Sequence, residues 1–158
     1  MQDVYIIGNP TQSPTEWGPI TFSPLDLEGV KCPHCDALVI SIMVFNRTVK
    51  SVLVYHGSSA DIIHWSMVEQ LRYKIEQLQP TRYCIRGISG QSTRPLGEVD
   101  LPVRFGSRPA VHTLWITFQV VDIPFPFNIL IGRPTLYNLK TVSSLYCMKI
   151  KFPTEDEE

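Results

Sequence analysis

The chain has 158 residues, 44% of them hydrophobic and 18% charged, which suits one globular domain with a single sizeable core. A net charge of −1 gives no electrostatic footprint for nucleic acid or an anionic membrane, so neither is expected as a partner. The longest largely apolar run, residues 37 to 45, falls far short of the roughly 20 residues of a membrane span. The opening MQDVYIIGNP lacks the basic end and apolar run of a secretory signal, and a cytoplasmic or nuclear location is expected. Four unevenly spaced cysteines fit free thiols in a reducing compartment better than a disulfide framework.

In chain order, residues 1–30 read as an extended, partly disordered lead-in, because Pro10, Pro14, Pro19 and Pro24 with Gly8, Gly18 and Gly29 interrupt any regular pattern. Residues 31–153 read as the folded domain. Its first feature is Cys32-Pro33-His34-Cys35. Thiolate and imidazole suit zinc, but a closed site needs four ligands. The other candidates, Cys84, Cys147, His56, His64 and His112, are single and scattered. The stretch therefore reads as a turn with two free thiols, and neither metal nor cofactor is expected.

Asp36 to Asn46 is a strand too apolar to have a wet face, Asn46-Arg47-Thr48 a hairpin turn, and Val49 to Val54 the return. The stretch that follows, Tyr55-His56-Gly57-Ser58-Ser59-Ala60, is a polar turn placed directly after a buried strand, a common way to present side chains at the edge of a core. Ile63, Met67 and Leu71 share one face at helical spacing, which predicts a helix over 62–71 with Asp61 as N-cap. A short helix is expected near 135–140. Tyr83 to Ile88 reads as a strand, followed by a glycine-flanked turn, Gly87-Ile88-Ser89-Gly90. Period-two alternation predicts further strands at 99–105, 114–120 and 146–152. Short helices, many strands and close turns make an all-β barrel or sandwich. The acidic end, residues 154–158, reads as a solvated tail.

The central stretch Val52-Leu53-Val54-Tyr55-His56-Gly57-Ser58-Ser59-Ala60-Asp61-Ile62 closely resembles the active-site motif of retropepsin-like aspartic proteases. More segments resemble that family as found in plant Gypsy-type LTR retrotransposon Gag-Pol polyproteins. Residues 20–30 look like its leader and 36–41 like the opening strand. Residues 85–90 with Pro95-Leu96-Gly97 look like the flap hairpin, 128–136 like the strand-Gly-Arg-helix segment beneath the active-site loop, and 149–154 like the closing strand. The resemblance implies a closed barrel forming a single lobe of the aspartic protease fold, a homodimer, and a groove for an extended peptide.

The resemblance also implies where catalysis would sit, and there the chain departs from it. Tyr55 occupies the catalytic aspartate position and His56 the position of a Thr, Ser or Asn, while Gly57 and Ser58 keep the motif. Family chemistry uses two carboxylates sharing a proton over one water. A phenol holds its proton through the range where such a pair works, and its ring fills the water's space. Asp61 is the one carboxylate left in the loop, read as a cap. A Ser58 or Ser59 nucleophile with His56 lacks a third, orienting group. The expectation is an inactive, dimer-forming remnant or interaction module. The alternative is an active endopeptidase using another carboxylate such as Asp61.

Overall fold

The alternation at Val99, Leu101, Val103 and Phe105 becomes one wall of a closed barrel. The computed structural model of the chain describes residues 5–8 and 19–154. Its first elements are strands β1 (Tyr5–Gly8), β2 (Val39–Val44), β3 (Arg47–Val54) and β4 (Asp61–His64), then helix α1 (Trp65–Gln70). Strands β5 (Ile85–Arg86), β6 (Ser92–Thr93), β7 (Gly97–Ser107), β8 (Ala110–Val121) and β9 (Ile129–Ile131) follow. Helix α2 (Arg133–Asn138) and strands β10 (Val142–Ser144) and β11 (Lys149–Thr154) complete the series. The barrel order is β2-β3-β9-β4-β8-β7, closed by β7 pairing with β2. Outside it, β1, β11 and β10 form a small sheet and β5 and β6 a hairpin. The architecture is all-β with two short helices, as the alternation implies.

Inward residues of every wall are buried: Ile40, Ile42 and Val44 from β2, Leu101 and Phe105 from β7, Ile116 and Phe118 from β8. On β3, Val49 and Val52 both face in although two residues, Lys50 and Ser51, lie between them instead of one. A register shift against β2 between Ile40 and Ile42, with Ser51 at φ +58°, inserts the extra residue that makes this possible. Phe105 meets Phe152 edge-on at 6.2 Å between centroids, so β11 plugs one end of the barrel.

Several sequence expectations need correction, among them the strand expected over 146–152, which begins only at Lys149 after a turn. The helix expected over 62–71 begins only at Trp65, because residues 61–64 pair with β8 on one side and β9 on the other. β-branched Ile62 and Ile63 suit a strand, and two pairing partners outweigh a weak helical period. His64, not Asp61, caps α1: its Nδ1 accepts from the Ser66 amide at 3.1 Å. The strand expected over 83–88 shrinks to Ile85–Arg86. The helix expected near 135–140 starts earlier, at Arg133, with Pro134 in its first turn, where the missing N–H leaves no bond unmade.

Of the expected lead-in, residues 19–30 are anchored to β11. Asp26, in a single 3-10 turn (Pro24–Leu27), is buried. Its carboxylate accepts from the Ser23 amide at 2.8 Å and from Lys151 Nζ at 2.9 Å, with Lys149 Nζ at 3.9 Å. Lys151 Nζ also donates to Thr21 O at 2.7 Å and lies 4.6 Å from the Phe22 ring centre. The hydrogen bond from Lys151 and that from the Ser23 amide hold the Asp26 carboxyl below its ordinary 3.8. A lowered value means that the stabilisation is present above 3.8 and lost as pH falls through the folded value. Residues 155–158 of the acidic tail lie outside the described part.

Asp26→Ala removes the carboxylate beside two buried lysines and should lower Tm at neutral pH, with the deficit against the unchanged chain shrinking below pH 3.8. Coincident melting curves at pH 7 would show that the latch contributes nothing.

Candidate functional site

The end of β3 sets the site. Val54 N donates to Leu38 O and Tyr55 N to Ile131 O, both at 2.9 Å, which fixes where the chain leaves the barrel. Ser58 N then donates to Tyr55 O at 3.2 Å and closes a tight turn. The Tyr55 ring folds back over Gly57, so close that a β-carbon there would sit 2.7 Å from the ring. Gly57 is thus the residue that lets the phenol lie across its own turn. Tyr55 remains 44% exposed, so its ring occupies the mouth of the loop rather than the core.

The turn rests on the start of α2. Arg133 N donates to Ser58 O at 2.9 Å, and a β-carbon on Gly132 would lie 2.3 Å from Ala60 O. Only a residue without a side chain permits that approach. Asp61 Oδ1 accepts from Gly132 N at 2.7 Å and Oδ2 from Thr135 Oγ1 at 2.8 Å. Asp61 is therefore a cap, but of α2 and from a neighbouring strand, which corrects its expected role at α1. Gly132 has no side chain to cap its own helix, and the carboxylate from β4 takes that place. Asp61 is 4% exposed. Burial pushes its pKa up from 3.8 to about 6, against the opposing pull of the Gly132 and Thr135 hydrogen bonds.

His56 turns away from the serines of its own loop. Its Nε2 is 2.8 Å from Ser143 Oγ on β10, which ties the loop to the terminal sheet. Ser58 Oγ donates to Ala60 O at 2.7 Å, and Ser59 Oγ bonds the Tyr83 hydroxyl. Neither serine is available to His56 as a nucleophile. Among the described residues no third group orients the His56 ring, so the His56–Ser143 pair is a tether rather than a catalytic dyad.

Gly87-Ile88-Ser89-Gly90 is the tip of the β5–β6 hairpin, closed by Gly87 N to Gln91 O at 2.9 Å and Gly90 N to Gly87 O at 3.0 Å. Gly90 takes φ +80°, and Ile88 is fully exposed. The hairpin's base is stitched to the barrel: Thr81 Oγ1 donates to Gln119 Oε1 at 2.9 Å, and Gln119 Nε2 to Glu98 Oε2 at 3.0 Å. Tyr83 and Ile85 pack against an apolar wall of Ala60, Ile62, Val121 and Leu130 on the barrel's outer face. Sequence reasoning missed the roles of Ser143, Thr135, Tyr83 and Gln119, which lie far along the chain from the loops they hold, although Thr135 falls within the 128–136 segment.

Among the described residues no group of three or more His, Cys, Asp or Glu side chains could hold a metal ion. Cys32, Cys35 and Cys84 are exposed free thiols and Cys147 a buried one. His34 Nε2 is instead engaged with Tyr146 O at 3.1 Å. No helix among the described residues is long and apolar enough to cross a membrane.

No protein-family model matches the sequence, and no curated protein does. The structure is similar to the retroviral protease-like domain of Ddi1 from Leishmania major, with a TM-score of 0.52 and 16% identity over 71% of this chain and 84% of that one. It is also similar to a retropepsin-like aspartic protease from Rickettsia conorii, with a TM-score of 0.48 and 18% identity over 67% of this chain and 75% of that one. The first likeness shows the fold, a retropepsin-like barrel.

A raised Asp61 pKa means that the native state holds a proton the unfolded chain has released, so stability falls as pH rises from 3.8 through about 6. Two pH units correspond to roughly 3 kcal/mol. Asp61→Asn keeps an oxygen for Gly132 and an amide for Thr135, and it should lose much less stability than the unchanged chain across that window in urea unfolding. Asp61→Ala should be destabilised by roughly 1–3 kcal/mol for each buried donor it leaves unpaired. Parallel pH profiles for Asp61→Asn and the unchanged chain would show that this carboxyl does not titrate as described.

Proposed function

We propose that the chain is a retropepsin-like domain descended from a plant Gypsy-type polyprotein protease, catalytically silent, and acting as a homodimer that holds an extended peptide without cutting it. The observation that carries this reading is Tyr55 at the mouth of a loop whose turn and supports are kept. The turn, the glycine and the close rest on α2 are all present, and a phenol stands where the family's water-holding carboxylate belongs.

Asp61 does not suit the missing role. A general base must reach the water it activates, and both Asp61 oxygens are engaged with α2 in a buried position. An endopeptidase working through Asp61 would have to dismantle the support of its own loop. The peptide-holding part rests on the apolar wall of Ile62, Val121 and Leu130 and on the overhanging hairpin with its exposed Ile88. One chain supplies one loop and one hairpin, so a two-fold contact is what completes a groove. Val142 on β10 and Tyr55 are apolar and exposed, in keeping with a contact on that side.

Two measurements test this. Sedimentation should show a concentration-dependent dimer, and a monomer at every concentration would remove the groove. The unchanged chain should show no cleavage sensitive to transition-state inhibitors of aspartic proteases, since a positioned general base contributes roughly 10²–10⁴-fold and neither protomer has one. Tyr55→Asp should restore some cleavage, Tyr55→Asp with His56→Thr more, and His56→Thr alone none. Inhibitor-sensitive cleavage by the unchanged chain, abolished by Asp61→Asn, would establish the opposite reading.

A further inference from the structure

A second concave site lies at the far end of β3 from Tyr55. The eight residues of β3 separate the two by roughly 26 Å at ~3.3 Å per residue. Here β2 and β3 are joined by the two-residue turn Phe45-Asn46, with Val44 paired to Arg47. Opposite it the chain leaves α1 through Leu71, Arg72 and Tyr73. Phe45, Arg47, Leu71, Arg72 and Tyr73 line a cleft of about 500 Å³, within the usual range for small-molecule sites.

The backbone around this cleft is held in an unfavourable shape. Phe45 takes φ +53°, a region that a β-carbon makes costly, while Arg72 at φ +67° is the left-handed residue that ends α1, with Tyr73 N donating back to Val68 O at 3.2 Å. At the first position of such a hairpin turn glycine is the usual residue. The chain has a phenylalanine there instead, 46% exposed, with its ring at the cleft.

The charge is one-sided. Arg47 Nη1 donates to Gln70 O at 3.1 Å, which holds that guanidinium at the cleft with other N–H groups free to bind. Neither Arg47 nor Arg72 pairs with a carboxylate among the described residues. No acidic side chain lines the cleft; the neighbouring Glu69 is not part of it.

We propose that this cleft binds a small organic anion bearing an aromatic ring, its ring against Phe45, Leu71 and Tyr73 and its carboxylate on the guanidinium groups of Arg47 and Arg72. A guanidinium presents a planar fork that matches a carboxylate, and it binds more strongly than a neutral donor would. The site needs neither Tyr55 nor a second copy of the chain, so it is independent of the groove.

The full chain, isotope-labelled, is titrated with 2-naphthoate, and amide shifts are followed by NMR. Saturable shifts should cluster at residues 45–47 and 70–73. The neutral 2-naphthalenemethanol, with the same ring, should bind about tenfold more weakly or less, as loss of a charge-assisted hydrogen bond implies. Arg72→Ala should weaken naphthoate by about the same factor. Phe45→Gly should also weaken it while leaving the fold at least as stable, because glycine suits φ +53°. No saturable binding, equal binding of acid and alcohol, or an Arg72→Ala variant that binds unchanged would each overturn the proposal.

Discussion

The contact on which the site depends is the one between the 55–60 turn and the start of α2. Backbone meets backbone there: Gly132 lies against Ala60, and Arg133 donates to Ser58. Such proximity leaves amide groups at the helix start without water, and they need an acceptor within the protein. Asp61 supplies it. Burying that carboxyl costs roughly 3 kcal/mol at neutral pH. Leaving the Gly132 N–H and the Thr135 hydroxyl unpaired would cost roughly 1–3 kcal/mol each, and the helix start would be misplaced as well. The balance favours the buried acid, and the turn's shape follows from it.

That support is independent of what the turn carries. Tyr55 contributes its backbone to the barrel through Ile131 and Ser58, and its side chain lies across Gly57 without entering the core. A change of side chain at this position therefore leaves the scaffold's hydrogen bonds in place. His56 has likewise found a partner, Ser143, that no small hydroxyl at position 56 has the length to meet in the same way. A loop whose geometry is fixed from below accommodates a phenol at its mouth without any change to the barrel.

Much of this was legible in the sequence, because period-two burial dictates a strand whenever one face is dry. Val99 to Phe105 and Leu114 to Val120 became long paired strands as their alternation requires. The flap-like turn was legible from its two glycines. What failed was local reading where long-range pairing decides. Ile62 and Ile63 fit a helical stripe and a strand equally, and β8 and β9 settled the matter. Asp61 looked like a cap because it is one, yet the helix it caps lies 71 positions further on. Asp26 gave no signal at all, since its partners Lys149 and Lys151 sit on the last strand.

The two ends of β3 now stand in contrast. At one end the backbone is unstrained and a large ring, Tyr55, lies across its own turn over Gly57. At the other, Phe45 takes a left-handed backbone at a turn position where glycine is usual, beside the cleft. A bulky side chain on a sound scaffold leaves the fold unchanged. Strain kept in the backbone is different, because a single change to glycine at position 45 relieves it. In the cleft proposed for an aromatic anion, that phenylalanine supplies the ring contact, and the two arginines beside it, neither paired with a carboxylate among the described residues, supply the charge.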